Sequence, residues 1–194
     1  MQKVNQKRNY RKGIFTSILI AMFAAVGAVT SWISIPMPSG VPITLQTFGM
    51  ALIGYTLGYK YGTVSVLIYV ALGAVGLPVY AGFLGGLGKL LGLTGGFIFG
   101  FIFMAFLCGL VKLKPLKNCG RVTKIILAIV FGLIGLLICH FLGVLQFCLL
   151  NDKDVSFTAA ALAVSVPYFI KDIVSVVAAY FVSLIADKFI AKAY

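Results

Sequence analysis

A chain of 194 residues with 61% hydrophobic and only 10% charged residues has too few polar side chains to clothe a water-facing surface, which excludes a soluble globular protein. Its net charge of +12 lies in loops and tails beside apolar runs, so the basic residues fit anionic lipid headgroups rather than nucleic acid. The reading is an all-α integral membrane protein with a single membrane-embedded domain over residues 1–194.

In chain order, apolar runs at 14–34, 43–58, 63–77, 94–111, 122–149 and 167–190 predict six transmembrane helices. The first follows a basic tail, and its length of about 21 residues exceeds a signal-peptide core, so it is expected to stay as a span. Along it Ser17, Ala21, Ala25 (or Ala24) and Ala28 form a stripe of small residues that lets another helix approach closely. The second and third runs are short. Sixteen helical residues rise only about 24 Å, so these spans are expected to hand over to irregular backbone that protein must bury. Gln46, about one turn into the second run, offers both an amide donor and an acceptor to a ligand or to a neighbouring helix.

Three connections fall on the outer side: SIPMPSGVP, the glycine-rich stretch 76–96, and NDKDVSFTAAALAVS. Together they could cover a pocket. The middle one stays apolar while its glycines oppose regular helix, which predicts either a re-entrant loop or backbone folded over a small molecule. On the second reading Gly85 and Gly86 present peptide groups, Tyr80 and Phe83 pack on a ring, and Lys89 supplies a cation. The segment GGLGKLLG lacks the spacing of a phosphate-cradling loop and of a dinucleotide fingerprint, so no ATP site is expected.

After the fourth run, Lys112 to Lys124 reads as a cytoplasmic loop. In the fifth, His140 and Gln146 lie beside Gly135, Cys139 and Gly143, a small polar seam suited to helix packing; a proton relay would need a second titratable group, and none is evident in that span. Four cysteines without a CxxC pair, one histidine and no glutamate leave no expected metal site and no cofactor. In the last run Asp172 is the intramembrane carboxylate expected to face inward and meet a ligand, since an Asp at a helix centre costs about 2.5 to 3.5 kcal/mol on insertion scales. Lys171 and Tyr168 lie beside it. Adjacent helical residues diverge by about 100°, so Lys171 and Asp172 are not expected to face each other.

Orientation follows from the basic residues. With the N-terminus inside, thirteen Lys and Arg fall on the cytoplasmic side and only Lys89, Lys153 and Lys171 on the other. That bias requires an even number of spans, with both termini cytoplasmic.

The segments VPITLQTFG, LGYKYGTVSVLIYVALGAVGLPVYAG, GLTGGFIFGF and VPYFIKD resemble the biotin-specific substrate-binding component (S component) of energy-coupling-factor (ECF) vitamin transporters. The resemblance covers most of the chain after Trp32 and is densest from Pro42 to Phe101. It implies a six-helix protein of the prokaryotic cell membrane that captures biotin from outside and is not an enzyme. The implied partners are a transmembrane coupling protein and two cytoplasmic ATPases, with the alanine-spaced face of the first helix as the docking surface. Asp172 matches the family's carboxylate for the ureido N–H groups. The chain departs from the family at Ser175, where a Lys is usual, and at Ile98 and Leu84, where some members carry Arg and Asn. The carboxylate of biotin would then need Lys89 or Lys171. An S component for another vitamin or heterocycle is the alternative.

Overall fold

The computed structural model describes residues 2–38, 40–151 and 156–193. It is almost entirely helical, with α1 (Gln2–Trp32), α2 (Gln46–Ala74), α3 (Leu87–Leu90), α4 (Gly95–Gly109), α5 (Arg121–Leu150), α6 (Phe157–Val164) and α7 (Val166–Ala193). A two-stranded antiparallel pair, β1 (Ser34–Ile35) and β2 (Ile43–Thr44), closes the connection between α1 and α2. Extended backbone at 43–44 therefore takes the place of the helix start expected there, and helix begins only at Gln46. Short 3-10 turns fill the connection between α4 and α5.

Among the described residues five helices are long and apolar enough to cross a membrane, with α2 counted once. The two short spans expected at 43–58 and 63–77 join into α2 because the link between them is a single residue. Gly58 alone leaves the helical region, at φ 78° and ψ 171°. In that region only glycine sits without strain. The chain doubles back there: a Cβ on Gly62 would lie 3.0 Å from the Cα of Gly54, where a straight helix would separate the two positions by about 12 Å.

Glycine also sets how closely the helices pack. A Cβ on Gly54 would meet the Ala105 carbonyl of α4 at 2.4 Å, and one on Gly109 would meet the Tyr59 nitrogen at 2.2 Å. On the far side of α4, Gly100 lies against the Cys139 backbone of α5. The core between these helices holds Met50, Ile53, Tyr55, Val66, Tyr69 and Met104, all fully buried. Large exposed side chains such as Ile18, Phe103, Leu137, Phe141, Val174 and Phe181 cover the outside, as a lipid-facing surface requires.

The inner end is tied by Lys112. Its Nζ donates to the Thr56 carbonyl, just before the Gly58 turn, and to Asp187 Oδ1 of α7 at 2.6 Å. Asp187 is a second carboxylate in the last run, and it corrects the reading that gave Asp172 alone that role.

Of the outer connections, the glycine-rich stretch contains a 3-10 turn (Ala81–Phe83) and the one-turn helix α3, so it is more regular than its glycines implied. The last connection contains α6, started by Ser156, whose hydroxyl accepts from the Ala159 N–H. Residues 152–155, including Lys153, lie outside the described residues.

Candidate functional site

At the end of the bundle opposite Lys112, a pocket of about 610 Å³, counting its mouth, opens between α2, α4, α5 and α7. Of the residues expected to bind a ligand, Gln46, Tyr80, Lys89, Tyr168, Lys171 and Asp172 all line it. They come from α2, the glycine-rich stretch with its α3, and α7, three parts of the sequence that the fold brings together.

Asp172 is 4% exposed. Its Oδ2 lies 3.1 Å from His140 Nε2 on α5, and its Oδ1 lies 2.5 Å from Lys171 Nζ. The second contact overturns the expectation that Lys171 and Asp172 stay apart. Their Cβ atoms diverge, but four methylenes let the ammonium swing back, and a carboxylate this deep has no water to neutralise it. Although paired in charge, Oδ1 has no hydrogen bond of good geometry. Buried beside the Lys171 ammonium, it keeps capacity to accept a further hydrogen bond.

Lys171 also donates to the Thr44 carbonyl at 2.7 Å, and Tyr168 Oη donates to the Val41 carbonyl at 2.7 Å. Helix α7 thus holds the β1–β2 connection over one side of the pocket. Beneath it, Thr44 Oγ1 donates to Gln46 Oε1 at 3.1 Å and Gln46 Nε2 donates to Tyr69 Oη at 2.9 Å. Ser31 spends its own proton on the Gly27 carbonyl, so the Tyr69 hydroxyl donates to Ser31 at 2.8 Å. The Gln46 amide keeps one N–H and one lone pair for a ligand.

The glycine-rich stretch supplies the other side. Tyr80 is fully buried and donates to the Val70 carbonyl at 2.7 Å, a position open to it because residue 73 is glycine: a Cβ there would stand 2.0 Å from the ring. Phe83 does not line the pocket. It is 62% exposed and stacks on Trp32, ring centroids 5.2 Å apart, while Trp32 Nε1 donates to the Pro78 carbonyl. Gly85 and Gly86 do not line it either. Gly85 packs against the backbone of residues 76 and 77, and the Gly86 N–H donates to the Gly73 carbonyl at 2.6 Å. These three residues shape the cover. At its far end Gln146 Nε2 donates to the carbonyls of Leu90 and Gly92, so the fifth-span seam anchors this cover as well as packing a helix. Lys89 is half-buried, and burial lowers its pKa from the ordinary lysine value.

His140, Thr47 and Thr94 are pocket residues that the sequence reading did not place. No acidic partner for His140 lies in its own span; Asp172 reaches it from a different helix. In the stripe on α1, Ser17, Ala21 and Ala25 are exposed, but Ala28 is buried in the bundle and cannot belong to the same outer face. Among the described residues no cluster of His, Cys, Asp or Glu has the makings of a metal site.

The pocket therefore combines aromatic walls, a carboxylate with a free lone pair, an amide and two ammonium groups. Such a set suits a small ring system that has N–H donors at one end and an anionic group at the other.

A family model described as the BioY family matches residues 3–192. The chain is 36% identical over 165 residues to a probable biotin transporter BioY of Pyrococcus horikoshii, covering 85% of this chain and 91% of that one. It is 38% identical over 171 residues to the biotin transporter BioY of Rhodobacter capsulatus, covering 82% and 86%. A third similar protein, the biotin transporter BioY of Thermotoga maritima, is 52% identical over 104 residues, 54% of this chain and 56% of that one. Among solved structures, the 2.1 Å crystal structure of the S component for biotin from an ECF-type ABC transporter aligns with a TM-score of 0.78 and 27% identity, covering 92% of this chain and 93% of that one.

Proposed function

The chain belongs to the BioY family, and we propose that it is the biotin-binding component of an ECF transporter, taking biotin from outside for ATP-driven uptake by partner subunits. It acts as a transport component and not as an enzyme. The observation that carries the reading is the buried carboxylate of Asp172, its Oδ1 without a hydrogen bond of good geometry, lining a pocket with an amide and two lysines. A ureido ring offers N–H donors to that oxygen. Tyr80 and Tyr168 flank the fused rings, Gln46 meets the ureido group, and Lys89 and Lys171 neutralise the carboxylate at the other end. Phe83, Gly85 and Gly86 act indirectly by shaping the cover.

Six membrane crossings are part of the proposal, the two arms of α2 each making one, with both termini cytoplasmic in a prokaryotic cell membrane. The doubling back at Gly58 and the excess of basic residues assigned to the inner side support it. Arms this short need tilted neighbours or a locally thinned bilayer. The coupling protein docks on the exposed Ser17, Ala21 and Ala25 of α1, and two ATPases complete the transporter.

The deciding experiment is equilibrium binding to the detergent-purified protein, with biotin compared against riboflavin. Saturable binding of biotin alone is expected. Preference for riboflavin would transfer the pocket to another heterocycle, and binding of neither would remove the S-component assignment.

A further inference from the structure

His140 lies in the pocket without a direct part in the biotin contacts proposed above. His140 is 6% exposed, its Nε2 is 3.1 Å from Asp172 Oδ2, and its Nδ1 is 2.8 Å from Ser165 Oγ. Phe97 and Phe169 flank the ring edge-on, at 5.7 and 5.4 Å between centroids, and fix its plane. We propose that His140 is a positioning residue for ligand selection: it occupies Asp172 Oδ2 and so turns the carboxylate to offer only Oδ1 to a donor on the ligand. The proposal rests on the biotin reading and names the residue that makes Asp172 selective.

The proton assignment follows from the partners. An ionised carboxylate can only accept, so Nε2 carries a proton and donates to Asp172. Nδ1 then accepts from the Ser165 hydroxyl in the neutral ring, or donates to Ser165 in the charged one. Either way the bond to Asp172 keeps its direction. Ser165 stands at the junction of α6 and α7, where its N–H donates to the Ala161 carbonyl, so the histidine is oriented from behind by a fixed group. A ring held at both nitrogens resists rotation, as do histidines oriented by an outer partner in metal sites.

The other charged groups around Asp172 cannot do this task. Lys171 sits on Oδ1, but it is shared with the Thr44 carbonyl, and its flexible stem can yield when a ligand N–H arrives. Lys89 lines the pocket, but among the described residues the ion pairs of Asp172 are with His140 and Lys171. Without His140, the carboxylate would be oriented only by its contacts with Lys171 and Thr47. The carboxylate could then accept from ligands whose donors lie in the wrong place, and it would bind the correct one less well.

The test uses biotin itself, with His140→Leu, His140→Gln, Asp172→Asn and the double variant H140L/D172N in the full chain. Hydrogen bonds to charged groups set the scale, so H140L is expected to weaken binding on the order of 10- to 100-fold. H140Q places an amide N–H near the former Nε2 and should recover most of that loss. In the D172N background, H140L should have little further effect, because its role passes through the carboxylate. The chain has one histidine, so ¹⁵N-histidine labelling of a protein purified without a histidine tag gives a single-site spectrum. It should show a protonated Nε2 with and without biotin. Unchanged affinity in H140L, equal losses in H140L and H140Q, or an unprotonated Nε2 would each overturn the proposal. Failure of the wild-type chain to bind biotin would instead remove the function assigned above, and the ligand-free spectrum would still decide the proton on Nε2.

Discussion

Gln46 and Tyr69 are 23 positions apart on one assigned helix, yet the Gln46 amide donates to the Tyr69 hydroxyl at 2.9 Å. In a straight helix that separation is about 34 Å. The contact exists because the backbone reverses at Gly58, and it brings the start of α2, at the pocket mouth, beside the end of its own second arm. Ser31 of α1 joins the same network through Tyr69, so three segments are tied below the ligand position by one polar chain.

The reversal makes Gly58 sensitive to substitution through its backbone conformation. A side chain there meets no severe clash, since the nearest atom is Lys112 Cβ at 3.5 Å, but it must adopt φ 78° and ψ 171°. Gly58→Ala is expected to destabilise the fold by about 1 to 3 kcal/mol. Denaturant titration of the purified protein reads this loss, and an unchanged midpoint would count against the turn geometry.

Tyr168 helps to hold the cover through its hydroxyl. Removing it in Tyr168→Phe leaves the ring packing and removes the bond to the Val41 carbonyl, for an expected loss of about 0.5 to 1.5 kcal/mol. Hydrogen exchange should rise in the 33–45 connection while exchange in α5 stays as before. Uniform faster exchange would mean that the hydroxyl supports the whole bundle instead.

Asp172→Asn removes the charge that pairs with Lys171 and leaves two donors where the ligand expects an acceptor. Biotin affinity should fall by about 2 to 5 kcal/mol. Calorimetric titration measures this directly. A loss under about 0.5 kcal/mol would show that the carboxylate does not touch the ligand, since even a modest hydrogen bond contributes more.

Lys89 gives the pocket a pH dependence. Burial lowers its pKa in the folded chain, so between that depressed value and the ordinary 10.5 the unfolded state binds more protons than the folded state. Stability contributed by this residue therefore rises as pH increases through that window. Lys89→Met should flatten the rise, which melting temperatures measured as pH is raised toward 10.5 will detect. Biotin reverses the preference, because its carboxylate favours the ammonium: affinity should fall as pH rises through the same window, and K89M should bind weakly with no such trend.

Composition and apolar spacing alone determined that this chain lives in a bilayer, because no arrangement of so few polar side chains could satisfy water. The isolated Asp172, the glycine-rich stretch and Gln46 were legible for a related reason: polar or helix-opposing residues in apolar runs need a local purpose. Tertiary structure decided what single-span reasoning could not reach. Lys171 bends onto Asp172, and His140 meets it from another helix, because in a low-dielectric interior a buried charge draws partners from any element within range. Phe83, Gly85 and Gly86 moved from the pocket to its supports for a similar reason. Adjacency in sequence gives their neighbourhood, but the direction of each side chain and peptide is set by the helices they rest on.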